Sequence, residues 1–337
     1  MKQYKLALIG VGGQAKFGHL PVLKADANCV LSVVVDPSTA AREAIAKESP
    51  SVSEYESLEA ADLSGIDCAI VSSPSVFHYA HVKYLLETNI HVFCEKPLSK
   101  KGSEAIELVE LAKKKNVVLQ AGYNRRFQPV TKYITDALKT NQYGRLNSVT
   151  IRAGNIAKDL PPSILNPSLS GGGILMDYAV HFIDRLCSWF EKIEVVSYED
   201  DSRGSAEACA VVKLHGTHRW QKNIPLTIMI SWVNEMADTI RLDFENVTLT
   251  CAINNATQLS IFTKNRNTPF LKKLYDYKVI QTSEKPVDIR MLQWEEFISR
   301  INGGKEKYSS LEDAARTTAI AEECYAKRKS LELSWGL

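Results

Sequence analysis

The stretch that decides the fold is residues 5–15, Lys5-Leu6-Ala7-Leu8-Ile9-Gly10-Val11-Gly12-Gly13-Gln14-Ala15. Its first half is an apolar run typical of a buried strand, and its second half matches the pattern G-x-G-x-x-A. In that pattern Gly10 permits a tight turn, Gly12 lets the backbone approach a pyrophosphate, and Ala15 allows close packing of helix against strand. A helix that begins here offers unpaired N–H groups to phosphates. The stretch therefore predicts the first turn of a dinucleotide-binding βαβ unit.

Apolar runs alternate with helix-like segments through the first third of the chain. The predicted strands are residues 5–10, 30–36, 68–72, 90–94 and 117–121, and the helices between them include 40–47, 78–87 and 102–115. Continuous β-branched runs separated by helices favour a parallel sheet covered on both faces. With right-handed crossovers this predicts an α/β fold, a doubly wound Rossmann domain over residues 1–122.

The pattern changes after residue 122. The predicted elements are helices at 130–140, 174–190, 287–301 and 311–329, a proline-rich loop at 154–170, and strands at 146–153, 194–199, 206–215, 226–233, 239–244, 247–253 and 258–263. Regular strands with short turns predict an α+β domain over residues 123–337, with a mainly antiparallel, open-faced sheet. The sequence leaves open whether the last helix packs back on the first domain.

Bulk properties exclude several classes of protein. Lys and Arg number 41 against 39 Asp and Glu, so no basic footprint for nucleic acid is present. Seven scattered cysteines without a C-x-x-C pair indicate neither a disulfide framework nor a metal site. Neither a signal-peptide profile nor an apolar stretch of about 20 residues is evident, which favours a cytoplasmic protein without a membrane partner.

Asp36 ends the second predicted strand about twenty residues past the glycine motif, where an acidic residue binds the adenosine ribose. Such a carboxylate accepts hydrogen bonds from the ribose hydroxyls and repels a 2′-phosphate. The alternative is a simple Asp36-Pro37 turn. Since the nearest cation is Arg42, the sequence favours NAD, with NADP possible.

Two further motifs carry chemistry. Glu95-Lys96-Pro97 follows the fourth strand at its carboxyl end, where open parallel sheets bind ligands, although a lysine and a proline that can be cis also suit an ordinary loop. The helix at 174–190 is apolar almost all round, and its polar residues Asp177, His181, Asp184 and Arg185 fall on one face. That stripe faces either a cleft or a strip of solvent, and a satisfied core histidine is the alternative.

These motifs, taken in order, resemble the Gfo/Idh/MocA family, the glucose–fructose oxidoreductase and inositol dehydrogenase group. The motifs are the glycine loop, Asp36, Ser73-Pro74 with His78, residues 91–97, residues 122–127, and Gly171-Gly172-Gly173 followed by Asp177 and His181. One departure is Ala179, where the family commonly has glycine, and its methyl group would narrow the floor beneath the nicotinamide.

The resemblance implies a role for each matched residue. The catalytic residues would be Lys96, Asp177 and His181. The cofactor-binding residues would be Gly10, Gly12, Gly13, Gln14, Ala15, Asp36, Ser73, Pro74, His78, Glu95 and Lys96. The substrate would contact Lys96, Asn124, Arg126, Asp177 and His181. A capping role at a helix start is the alternative for His78, and a salt bridge is the alternative for Arg125 or Arg126.

The function implied is NAD(P)-dependent hydride transfer between nicotinamide and a secondary alcohol or ketone of a sugar, nucleotide sugar or cyclitol. The alternatives are an NAD-dependent glycoside hydrolase and a non-catalytic regulator that senses nucleotide or sugar. A homodimer or homotetramer formed through the C-terminal sheet is expected.

Overall fold

The computed structural model describes residues 2–255, 257–264, 277–284 and 287–331. The chain forms two units, one comprising Met1–Asn124 with Asp288–Ala319 and the other comprising Arg125–Val287 with Ile320–Leu337. Residues 288–319 thus group with the first unit, although the sequence ranges assign them to the second domain. The division of function between residues 1–122 and 123–337 stays a prediction.

The first unit contains a parallel sheet, as predicted. Its strands are β1 (Tyr4–Ile9), β2 (Cys29–Val35), β3 (Ser53–Tyr55), β4 (Cys68–Val71), β5 (His91–Cys94) and β6 (Leu119–Ala121). Within the described residues they lie in the order β3-β2-β1-β4-β5-β6, with every pairing parallel. This is the Rossmann order, and its switch point lies between β1 and β4, where such sheets bind ligands.

Helices cover this sheet. They are Leu20–Ala25, Thr39–Glu48, His78–Glu87, Gly102–Lys115 and Ile289–Ile301, with a π-helical turn at Ala15–His19. The helix Ile289–Ile301 contributes Trp294 and Phe297 to the same buried cluster as Leu8 and Phe93. Burial of these large aromatic side chains explains why this late segment belongs to the first unit.

The second unit contains the predicted, mainly antiparallel sheet. Its strands are β7 (Leu146–Gly154), β8 (Lys192–Asp200), β9 (Cys209–His218), β10 (Gln221–Ser231), β11 (Met236–Phe244), β12 (Val247–Ala252), β13 (Gln258–Thr263), β14 (Tyr277–Gln281) and β15 (Arg328–Ser330). Their order among the described residues is β14-β13-β12-β11-β7-β10-β9-β8-β15. The parallel pairs in this part of the chain are β7 with β10 and β8 with β15.

One face of this sheet packs against helices. The helical segments are Pro129–Lys139, Pro162–Leu165, Pro167–Ser170, a π-helical turn at Leu175–Ala179, and Val180–Trp189, and the last helix, Leu311–Ala326, spans the boundary between the units. Phe182 and Leu186 pack in one core with Ile151, Ile228 and Ile240 of the strands. Across the described ranges, no helix is long and apolar enough to cross a bilayer.

Candidate active site

The glycine loop has the conformation that its sequence predicts. Gly10 has φ +88°, and a Cβ there would lie 2.6 Å from the backbone nitrogen of Ser73, so only glycine fits. Gly12 and Gly13 are exposed, and a Cβ on either would meet nothing within 4 Å. The turn therefore packs tightly on the Ser73 side and stays open on the side where a pyrophosphate would approach.

Asp36 is fixed beside this loop at the end of β2. Its Oδ2 accepts a hydrogen bond from the Val11 nitrogen at 2.7 Å, and its Oδ1 accepts one from the Ser38 nitrogen at 2.8 Å. A carboxylate has about four acceptor positions, so capacity remains for ribose hydroxyls. Asp36 is thus both part of the loop's support and a free acceptor at its edge.

Arg42, the nearest cation, is engaged elsewhere. Its Nη1 donates to the Asp36 carbonyl at 2.6 Å, and its Nη2 donates to Thr39 Oγ1 at 3.1 Å. The side chain is only 14% exposed and lies 3.9 Å from the Glu54 carboxylate. These contacts hold the guanidinium against the start of its own helix.

His78 is buried at 1% exposure. Its Nδ1 lies 2.6 Å from the Pro97 carbonyl oxygen and its Nε2 lies 2.8 Å from the Ser73 carbonyl oxygen. Burial lowers the pKa of this imidazole, although the two carbonyl contacts act in the opposite direction. The expected cofactor contact is at odds with this geometry. His78 instead connects the loop after β4, through Ser73, with the loop after β5, through Pro97.

The Glu95-Lys96-Pro97 segment follows β5, and its Lys96-Pro97 peptide bond is cis. Glu95 Oε1 accepts a hydrogen bond from His19 Nε2 at 2.9 Å, and Oε2 accepts one from the Lys96 nitrogen at 3.2 Å. Burial opposes ionisation of Glu95, but His19 and the Lys96 charge hold its pKa below the usual value. Lys96 is partly buried. Its backbone is thus bound to Glu95 through the N–H group.

Sequence reasoning missed His19. It lies four residues after Ala15, so both residues face the sheet from one side of the helical turn. That spacing was the available signal, but the partner Glu95 is 76 residues away along the chain.

A small pocket in the first unit adjoins this pair. Its polar lining includes Gln14, His19, Glu95, Asn124 and Arg290, and Phe93 and Trp294 form part of its apolar wall. Gln14 and Glu95, which are predicted to bind the cofactor, and Asn124, which is predicted to bind the substrate, therefore line the same pocket.

In the second unit, the glycine run leads into the helix that carries Asp177 and His181. Both residues are partly exposed. Asp177 lies in the π-helical turn Leu175–Ala179, and His181 lies four residues later in the helix Val180–Trp189. Turns of this type are frequent at functional sites. Ala179 is fully buried in the hydrophobic core of the second unit, and the narrowing of the nicotinamide floor by its methyl group stays a prediction.

The rest of the predicted polar stripe is internal. Asp184 and Arg185 are each 1% exposed. Arg126 Nε donates to Asp184 Oδ2 at 2.6 Å, and its Nη2 donates to Oδ1 at 2.8 Å. The guanidinium is buried, and its Nε–Nη2 edge is paired with the carboxylate, so the predicted substrate contact of Arg126 gives way to the salt-bridge alternative.

Arg125 is also engaged. Its Nη1 donates to the Ile253 carbonyl at 3.1 Å, and its guanidinium lies over the ring of Tyr178 at 5.2 Å. In the described part of the chain no cluster of His, Cys, Asp or Glu is arranged to hold a metal ion.

Comparison with known proteins identifies similar sequences. Residues 4–123 match the Gfo/Idh/MocA family model, described as an oxidoreductase family with an NAD-binding Rossmann fold. An uncharacterized oxidoreductase of Schizosaccharomyces pombe is 31% identical over 250 residues, covering 68% of this chain and 64% of that protein. The D-glucoside 3-dehydrogenase of Escherichia coli is 29% identical over 184 residues, covering 53% and 52%. The chain thus spans less than two thirds of these relatives' lengths.

The fold is also found among solved structures. A mutant of KijD10, a 3-ketoreductase from Actinomadura kijaniata in complex with TDP-benzene and NADP, superposes with a TM-score of 0.82. The match covers 98% of this chain and 99% of that one at 15% sequence identity. This likeness concerns the fold.

Proposed function

Because the chain belongs to the Gfo/Idh/MocA oxidoreductase family, we propose that it is an NAD-dependent dehydrogenase or ketoreductase acting on a sugar-like substrate. The main support for this proposal is that the Gly10 loop, Asp36 and Lys96 lie at the carboxyl ends of strands of one parallel sheet. A dinucleotide bound at these ends crosses the β1/β4 switch point.

The proposed cofactor is NAD. Asp36 keeps free acceptor positions for the ribose hydroxyls, and its charge repels a 2′-phosphate. Arg42, which would be needed to bind that phosphate, is held by the Asp36 carbonyl and by Thr39. Both features favour NAD over NADP.

Asp36→Asn tests this preference while sparing the loop. The amide oxygen still accepts a hydrogen bond from the Val11 nitrogen, but the negative charge is lost. We expect the affinity for NADPH to rise about tenfold relative to that for NADH, since a single close charge contributes about this much. Fluorescence titration of both cofactors measures the ratio. An unchanged ratio would remove Asp36 from cofactor discrimination.

In the proposed reaction the alcohol loses a hydride to the cofactor and a proton to the protein. NAD, when bound, supplies the acceptor for the hydride that leaves the carbinol carbon. Lys96 hydrogen-bonds the substrate oxygen and stabilises its developing negative charge. His181 takes the hydroxyl proton, and Asp177 orients both the imidazole and the substrate. In ketone reduction, His181 returns the proton to oxygen.

The proposed substrate carries a secondary alcohol or ketone on a sugar, nucleotide sugar or cyclitol. Asn124 at the pocket and the partly exposed Asp177 and His181 are hydrogen-bonding groups of the kind that recognise hydroxyls. A relative aligned over about half its length is named for glucoside dehydrogenation at position 3.

A panel of sugars, glucosides, cyclitols and nucleotide sugars, assayed by cofactor absorbance in both directions, tests the proposal. At least one should give stoichiometric change in NADH, and His181→Gln should slow that reaction about 10²–10⁴-fold. Cleavage of a glycoside without net NADH would instead support the NAD-dependent hydrolase. Ligand binding without turnover would support the sensor.

Self-association through the second sheet also remains a prediction. Phe262 and Tyr277 stack on the neighbouring strands β13 and β14 with centroids 5.6 Å apart, and Tyr277 and Val279 are about half exposed. Exposed apolar side chains grouped in this way are typical of interaction surfaces.

A further inference from the structure

Glu207 lies between β8 and β9 and is fully buried, at 0% exposure. Its backbone carbonyl accepts a hydrogen bond from the Ile174 nitrogen at 2.9 Å. Its carboxylate Oε1 accepts one from the Leu175 nitrogen at 3.1 Å and another from the Tyr325 hydroxyl at 2.7 Å. One residue thus binds two consecutive N–H groups at the start of the helix that carries Asp177 and His181.

The glycines before this helix make the contact possible. A Cβ on Gly173 would lie 2.2 Å from the Glu207 carbonyl oxygen, and a Cβ on Gly172 would lie 1.8 Å from the Tyr325 hydroxyl oxygen. Gly173 therefore requires glycine, because the clash would be with backbone, and a side chain at Gly172 would displace the Tyr325 ring. The glycine motif therefore serves as the surface against which Glu207 and Tyr325 pack.

Positive groups face the Glu207 carboxylate. The first turn of a helix carries unpaired N–H groups and the positive end of the helix dipole, which a carboxylate stabilises. Arg328 provides a second positive group, with its Nη2 3.5 Å from Glu207 Oε2 and its Nε 2.7 Å from Asp200 Oδ2. Burial nevertheless holds the pKa of Glu207 above its usual value, although the hydrogen bonds from the Tyr325 hydroxyl and the backbone act against that rise.

We propose that Glu207 is the positioning residue for Asp177 and His181. It fixes the first turn of their helix and thereby the positions of both side chains. This assignment rests on the proposed function for its catalytic meaning. The contact itself does not depend on that function, because Glu207 binds the N–H group of Leu175, which is two residues before Asp177 in the same helix.

The test compares Glu207→Ala with Glu207→Gln. Hydrogen–deuterium exchange should show the amides of residues 174–181 opening roughly five- to tenfold more readily in Glu207→Ala, the usual effect of losing a helix cap. Glu207→Gln keeps an acceptor oxygen for Leu175 and Tyr325 and should restore most of the protection. Should Glu207→Ala fail to fold, Tyr325→Phe removes one of these bonds and should produce a smaller effect in the same direction.

NMR titration of the histidines distinguishes a positioning role for Glu207 from a general contribution to stability. The chain has 7 histidines, and the His181→Gln spectrum assigns the His181 signal. Its titration midpoint should shift in Glu207→Ala and return towards the wild-type value in Glu207→Gln, while NADH affinity is unchanged. This readout needs no substrate, so it stands apart from failure of the proposed function.

Glu296 supplies the matched control. It is a buried carboxylate of the first unit that accepts hydrogen bonds from the Tyr308 and Ser309 nitrogens and from the Ser309 hydroxyl. Glu296→Gln should leave both the exchange of residues 174–181 and the His181 midpoint unchanged. Equal effects of Glu296→Gln, or wild-type exchange and titration in a folded Glu207→Ala, would overturn the proposal.

Discussion

Replacement of Lys96 by alanine is expected to lower turnover about 10²–10³-fold, the usual loss when one donor to a developing oxyanion is removed. The dissociation constant for NADH should stay nearly unchanged, because the lysine is proposed to act on the reacting oxygen. The segment around it is held independently of the side chain. Glu95 is paired with His19, and the Pro97 carbonyl contacts His78.

Lys101 provides the control for this measurement. It lies five residues further along the chain, its side chain is 63% exposed, and it pairs only at the surface with Glu104 at 3.4 Å. Lys101→Ala should leave both turnover and NADH affinity unchanged. Initial rates and cofactor titration on the substrate found in the panel check both variants. Wild-type turnover in Lys96→Ala would exclude Lys96 from the chemistry, and a large loss of NADH affinity would make cofactor binding its main role.

The sequence predicts the first sheet well where local pattern and burial agree. β1 is buried at five of its six positions, so its apolar run and the glycine turn that follows are both dictated locally. β3 is different, because Ser53–Tyr55 is a short edge strand without a buried residue. It carries no apolar alternation, and only pairing with β2 makes it a strand.

The predicted strand at 206–215 begins instead at Cys209 for a related reason. Glu207 is bound to the helix start at Ile174 and Leu175, and the pairing with β10 begins only at Cys209, opposite Ser231. Nothing local to residues 206–208 signals that contact, since its partners lie more than thirty residues earlier. Tertiary contacts override strand propensity here.

Site residues follow the same division. Gly10 is predictable because its backbone conformation alone requires glycine. The sequence around Arg125 and Arg126 does not show which of the two arginines is buried. The partner that buries Arg126 is the carboxylate of Asp184, which is 58 residues away along the chain. His19 is similarly explained only by Glu95. Sequence motifs thus indicate where the site lies. The roles of the supporting side chains cannot be predicted in this way, because their partners are distant in the sequence.

Loss of the Asp184 carboxylate is expected to destabilise the fold by about 3–5 kcal/mol, because it removes the negative charge that neutralises the buried Arg126 guanidinium. The two side chains are 4% and 2% exposed, and two hydrogen bonds of 2.6 and 2.8 Å join them. Asp184→Ala should therefore lower the denaturant midpoint strongly, as followed by circular dichroism. Solvent does not reach the site to screen or replace the lost charge.

The double variant Arg126→Met with Asp184→Leu separates charge burial from simple loss of contacts. Replacing both partners by apolar side chains leaves no isolated charge, so most of the lost stability should return. The exposed pair Lys132–Asp136, with side chains 58% and 55% exposed, is the surface control, and Asp136→Asn should change stability by no more than about 0.5 kcal/mol. If Asp184→Ala were no more destabilising than Asp136→Asn, Arg126 would have access to another anion, and its role as a substrate ligand would return.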